Sequence, residues 1–138
     1  MADKVEFELV SPEKLLKSQP VDMVVVPGSE GDFGVLAGHS PMISTVRPGV
    51  IDVYEGDRVV DRVFVAGGFA EVTEARCTVL AEEAVALTDL DRATVEKQIK
   101  DLSEDLDDSK SDAERAAAES KLAVARAKLD ALSQSSAH

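Results

Sequence analysis

Four places in the 138-residue sequence hold residue types that could do chemistry. His39 precedes Ser40, an imidazole beside a hydroxyl, the two ingredients of nucleophilic acyl transfer. Such a pair needs a third, orienting group and a geometry that adjacent residues rarely supply. The following Ser40-Pro41 reads as a loop. His39 is therefore expected at a domain rim in a polar contact, and a small hydrolase built on it is the least favoured reading. Asp105, Asp107 and Asp108 could draw a calcium ion. They lack the EF-hand spacing and its central glycine, so they read as a solvated charge run. With one cysteine and two histidines there is neither CxxC nor HxxxH, and no metal site is expected. The run Pro27-Gly28-Ser29-Glu30-Gly31-Asp32-Phe33-Gly34 has the glycine density of a phosphate loop. It has no Gly-Lys-Ser/Thr, and Glu30 and Asp32 would repel an anion, so its glycines serve tight turns. Cys77, inside Arg76-Cys77-Thr78-Val79-Leu80, is expected to be a small buried residue of a strand. A lone cysteine forms no internal disulfide, which points to a reducing compartment. No active site emerges, and a protein without one works by contact.

The elements that position these residues change period along the sequence. Val5, Phe7 and Leu9 alternate with Lys4, Glu6 and Glu8, which predicts a strand with one buried face. Further strands are expected over residues 21–26, 50–54, 59–66, 69–73, 76–81 and 84–87, with Gly and Pro between them. All five prolines lie at or before Pro48 and argue against a long helix there. Beyond Thr88 the spacing becomes helical. Val95, Ile99, Leu102 and Leu106 form one apolar stripe, and Ala118, Leu122, Ala125, Leu129 and Leu132 form another. Thr88 with Asp91, and Ser111 with Glu114, fit helix-start capping boxes. The polar run 107–110 is short enough for a turn, which predicts a helical hairpin with facing stripes. The tail from Ser133 is expected to fray. The fold class is thus α+β: a β-domain over 1–87 and a helical hairpin over 88–138.

Composition narrows the function. A formal net charge of -12 works against nucleic acid and anionic lipid, and no basic cluster offsets it. No apolar run approaches the ~20 residues of a membrane-crossing helix, and Met1-Ala2-Asp3-Lys4 does not open a signal peptide. The protein is expected in the cytosol, or at a membrane only through partners.

The run PGSEGDFGVLAGHSPMISTVRPGVI, from Pro27 to Ile51, resembles the epsilon subunit of bacterial F-type ATP synthases. Val65-Ala66-Gly67-Gly68-Phe69-Ala70-Glu71-Val72 and Asp89-Leu90-Asp91-Arg92-Ala93 add matches in the family's order. The resemblance spans nearly the whole sequence. It implies a ten-stranded antiparallel β-sandwich followed by a two-helix antiparallel hairpin. It also implies a non-catalytic rotor subunit on the cytoplasmic face of the bacterial inner membrane, joining the gamma subunit to the c-ring. Glu30, Asp32 and His39 match family residues near the polar loops of the c-ring, and Ser11 falls where the sandwich meets gamma. In some relatives the hairpin reaches the alpha and beta subunits and inhibits hydrolysis, or binds regulatory ATP. Asp89, Arg92 and Arg126 would be the residues for that here, although Thr88 replaces the family's preferred Ile or Leu. Read from the residues alone, Asp89 and Arg92 serve a helix start and a surface pair, and no cofactor is expected. A free-standing nucleotide sensor on the same fold is the competing reading.

Overall fold

The computed structural model describes residues 3–136. The protein divides into two compact units with the boundary between Ala86 and Leu87. The first holds ten strands: β1 (Val5–Val10), β2 (Leu15–Val21), β3 (Met23–Gly28), β4 (Gly31–Val35), β5 (Met42–Val46), β6 (Gly49–Glu55), β7 (Arg58–Val65), β8 (Gly68–Val72), β9 (Arg76–Ala81) and β10 (Ala84–Ala86). The hydrogen-bonded order is β10-β7-β6-β3-β5-β8-β9-β1-β2, with β4 paired to β3. The expected ten-stranded sandwich is present. One pairing departs from the antiparallel pattern: β1 runs parallel to β9, from Glu6↔Arg76 to Val10↔Leu80. Parallel neighbours need a long crossover rather than a hairpin, and here all of β2 to β8 intervenes.

The sheet is nearly two. β3 pairs with β6 over 23–25 on one side and with β4 over 24–28 on the other, and it meets β5 at the single register pair Gly28↔Val46. One five-stranded layer (β10, β7, β6, β3, β4) thus passes into the other (β5, β8, β9, β1, β2) through one joint. Alternation then sends one face of most strands inward. Val5, Phe7 and Leu9 of β1, Val24 and Val26 of β3, Ile51 and Val53 of β6, and Cys77, Val79 and Ala81 of β9 share one buried cluster. Each fully buried Val, Leu or Phe stabilises the sandwich by roughly 1.5–3 kcal/mol. An ion pair between Lys17 and Asp61 links β2, at one end of the strand order, to β7, next to the other end.

The second unit opens with a 3-10 turn, Leu87–Asp89, and holds α1 (Arg92–Asp107) and α2 (Asp112–Ser136). The cap of α1 is Asp91, three residues later than the expected Thr88. Its carboxylate accepts from the Thr94 N–H at 3.0 Å and from the Thr94 hydroxyl at 2.7 Å. Those bonds hold its pKa below the ordinary carboxylate value. Thr88 instead falls within the 3-10 turn. At α2 the expected cap is present: Ser111 Oγ accepts from the Glu114 N–H, and the Glu114 carboxylate reaches back to the Lys110 N–H. Helix α2 runs to Ser136 and so takes in the first four residues of the tail, while Ala137 and His138 lie outside the described residues.

Candidate functional site

The glycine-rich run forms the end of β3, a two-residue turn and β4. Gly28 has no room for a side chain, since a Cβ there would lie 2.7 Å from Gly31 O and 2.9 Å from the Phe33 ring. Gly31 adopts φ +139, a region open chiefly to glycine. The turn is fastened to its neighbours. Ser29 N–H donates to Thr45 O at 3.0 Å, and the Ser29 and Thr45 hydroxyls are hydrogen-bonded. Arg47 N–H donates to Pro27 O at 2.9 Å. The Arg47 guanidinium then makes two contacts at once, Nη1 to Gly28 O and Nη2 to the Asp32 carboxylate. Asp32 is therefore not a free acid. Its side chain and that of Arg47 are 60% and 44% exposed, and such pairs contribute only about 0–1 kcal/mol. The contact fixes a position more than it holds the fold. Glu30, at the turn's tip, is exposed and has no hydrogen bond or ion pair among the described residues.

His39 lies on another loop. Its ring Nδ1 donates to Ser40 O at 2.7 Å, so the contact is with the serine carbonyl and not its hydroxyl. That is no nucleophile–base pair, and the hydrolase reading has no geometric support. Gly38 N–H donates to Glu74 O at 2.7 Å, tying this loop to the turn between β8 and β9. Met42 and Val46 mark opposite ends of β5, pairing with Val72 and Gly68 respectively. The His39 loop is at the Met42 end and the Glu30 turn at the Val46 end, some four strand steps or roughly 13 Å apart along β5. Glu30 and Asp32 are thus neighbours, while His39 stands on a separate loop.

Ser11 opens the turn between β1 and β2, where its N–H and hydroxyl both donate to Lys14 O. Register pairs link Leu15 to Val10, Val10 to Leu80, Leu80 to Phe69, and Phe69 to Thr45. Leu15, Leu80 and Phe69 are each at least half exposed (54%, 50% and 55%). The outer face of this layer therefore holds an apolar row that ends beside Ser11. Hydrophobic alternation hides such a row, because each member looks like an isolated outward residue until the register aligns them.

In the helical unit, Arg92 donates to Ser133 Oγ at 3.4 Å. No hydrogen bond or ion pair joins Asp89, Arg92 and Arg126 to one another among the described residues. Arg126 lies seven residues before Ser133 on α2, about 10 Å along the helix. An open depression of about 390 Å³ lies at the other end of the hairpin, lined by Asp105, Asp108, Glu114 and Lys121 among others. Three carboxylates against one ammonium disfavour a polyphosphate. Cys77 is buried and desolvation pushes its pKa up to about 12, so at neutral pH it is an unreactive thiol.

No helix is long and apolar enough to cross a membrane among the described residues. Residues 4–87 match the beta-sandwich domain of the ATP synthase Delta/Epsilon chain, and residues 91–138 match the C-terminal domain of the ATP synthase epsilon chain. The protein is similar to the ATP synthase epsilon chain of Rhodospirillum centenum, 66% identical over 94% of this sequence and 92% of that one. It is 60% identical to the ATP synthase epsilon chain of Paramagnetospirillum magneticum, over 92% and 96% of the two sequences. A subunit in the Euglena gracilis mitochondrial ATP synthase, OSCP/F1/c-ring, superposes with a TM-score of 0.82 at 26% identity, covering 96% of this protein and 83% of that subunit. A sandwich, a helical hairpin after it, and matches spanning both units lead to one assignment: the chain belongs to the ATP synthase epsilon chain family.

Proposed function

We propose that this protein, as the non-catalytic epsilon subunit of an F-type ATP synthase, joins the gamma shaft to the c-ring at the cytoplasmic face of the bacterial inner membrane. The observation that carries this reading is the Glu30 turn. It is a stiffened hairpin at the joint of the two layers, and it presents outward one carboxylate that is unpaired among the described residues. An acid at the tip of a held turn suits the polar loops of a ring, because charge complementarity sets register between partners. The apolar row Leu15–Leu80–Phe69 beside Ser11 is the surface for gamma: its chemistry is that of a permanent interface, whose cores are depleted of charge. His39 serves a second, separate contact with the ring. Close packing lets torque pass through the sandwich without slip.

The test reverses the acids. Membrane vesicles carrying Glu30→Lys/Asp32→Lys are expected to retain the subunit, to hydrolyse ATP, and to pump far fewer protons for each ATP hydrolysed. Wild-type coupling in that variant would overturn the assignment of this turn.

A further inference from the structure

We propose that Arg47 is the positioning residue of the ring-facing hairpin, and that Asp32 serves Arg47 rather than the ring. The proposal rests on the reading of that hairpin as a ring contact. Its basis is the number and placement of the points that Arg47 holds.

Gly28 is the last residue of β3 and Asp32 the second of β4, so they stand on opposite legs of one turn, with Gly28 opposite Gly31 and Pro27 opposite Asp32. Arg47 reaches both legs: Nη1 takes the Gly28 carbonyl and Nη2 the Asp32 carboxylate. Its own N–H takes the carbonyl of Pro27, one residue earlier. A planar guanidinium can satisfy two acceptors in a fixed relation, which a lysine ammonium, a point charge on a flexible stem, cannot. Arg47 itself follows directly on Val46, the β5 residue through which the two layers join. The fork therefore fixes the turn to the joint, and Glu30 inherits that fixed position.

The turn needs an external hold. Gly28, Gly31 and Gly34 give this hairpin few side chains of its own, and glycines have the most backbone freedom to lose. A carboxylate on a loose turn would have to be ordered each time it met a partner, and ordering opposes binding. With the fork in place that ordering is already done. The exposure of the Arg47–Asp32 pair adds to the case: exposed ion pairs do little for folding stability, so its removal should register at the interface and hardly in the melting curve.

The experiment compares Arg47→Gln, Arg47→Lys, Asp32→Asn and Arg47→Gln/Asp32→Asn in the assembled synthase, reading proton pumping per ATP hydrolysed. Amide exchange at Ser29 and thermal melting are read in parallel on the full-length protein. Arg47→Gln is expected to lower the pumping ratio several-fold, with Arg47→Lys recovering part of it. The double variant should be no worse than Arg47→Gln, because both changes break one device. Exchange at Ser29, whose N–H is held by Thr45 O, should quicken in Arg47→Gln while melting stays close to wild type. If Arg47→Gln fails to assemble, quickened exchange confined to the turn still supports the proposal. Unchanged exchange overturns it, as does an unaltered pumping ratio. Additive losses in the double variant also overturn it, since Asp32 would then act on the ring directly. Glu30→Lys separates the two readings: if it is silent, the ring contact itself is wrong, and if it uncouples while Arg47→Gln does not, only the positioning role falls.

Discussion

Asp52 of β6 lies between Val25 of β3 and Arg62 of β7 in the register of the outer sheet face. Three influences act on its carboxyl. Burial is the largest and raises the pKa, the Arg62 guanidinium at 3.4 Å lowers it, and Asp32 raises it again. The net shift is upward, so the folded protein holds this proton more tightly than the unfolded one does. Protonation therefore favours folding. The contribution of Asp52 is greatest below the unfolded carboxylate value of about 3.9, and it declines as pH rises to the elevated folded value. Asparagine mimics the protonated form. Asp52→Asn is expected to melt at or above wild type near pH 7 and to lose that advantage by about pH 3. Calorimetry at both pH values checks it, and a lower melting point for the variant at neutral pH would mean that the Arg62 attraction prevails. Arg47 carries a different lesson. Glu30 and Asp32 could be picked out as acids in a glycine-rich turn, but nothing local marks Arg47, fifteen residues beyond Asp32, as the group that holds them. Only the β3–β5 joint brings it there.

Alternation and glycine punctuation revealed seven of the ten strands, and the three that escaped share a cause. β2 contains Pro20, which suits an edge strand because an edge needs no donor on its free side. β4 is Gly-Asp-Phe-Gly-Val, read as turn because its glycines blur any apolar alternation, and its partner β3 supplies the order. β5, Met-Ile-Ser-Thr-Val, exposes Ile43 and half-buries Met42, which blurs its alternation too. Tertiary pairing rather than propensity makes these strands. Gly67 and Gly68, legible as a turn, have unequal demands. Both have positive φ, +124 and +136, but a Cβ at Gly68 would lie 1.9 Å from Leu80 O on the paired strand, and one at Gly67 would lie 3.4 Å from Val46 O. Gly68→Ala must push β8 from β9, so it is expected to destabilise by at least about 3 kcal/mol, against roughly 1–2 kcal/mol of backbone strain for Gly67→Ala. Urea unfolding of the two variants checks the ranking. Equal losses would show that positive φ alone sets the penalty.

The change from strand period to helix period near Thr88 is visible in sequence, and the two compact units meet between Ala86 and Leu87. Their interiors differ in kind. The sandwich buries Phe7, Leu9, Ile51 and many Val side chains in one cluster. Among the described residues, the buried ones in the helical unit are Leu87, Val95, Leu122 and the alanines Ala118, Ala125 and Ala131, with Ile99, Leu102 and Leu106 half-buried. Alanine removes little apolar area from water. At ~25 cal/mol per Å² such a seam barely offsets the ~1–2 kcal/mol of backbone entropy lost by each ordered residue. The hairpin is thus expected to open at a lower free energy than the sandwich, in a separate step. Amide exchange under mild denaturant distinguishes the cases. Amides of α1 and α2 should merge into one opening event of small denaturant slope, while those of β1, β3 and β9 exchange only through the larger, global event. A single event shared by helices and strands would overturn this. The consequence for the proposed role is direct: a hairpin that opens alone can change its shape or its partner while the strands beside Glu30 and Phe69 keep theirs, so any regulation borne by the helices need not loosen the joint beside the Glu30 turn.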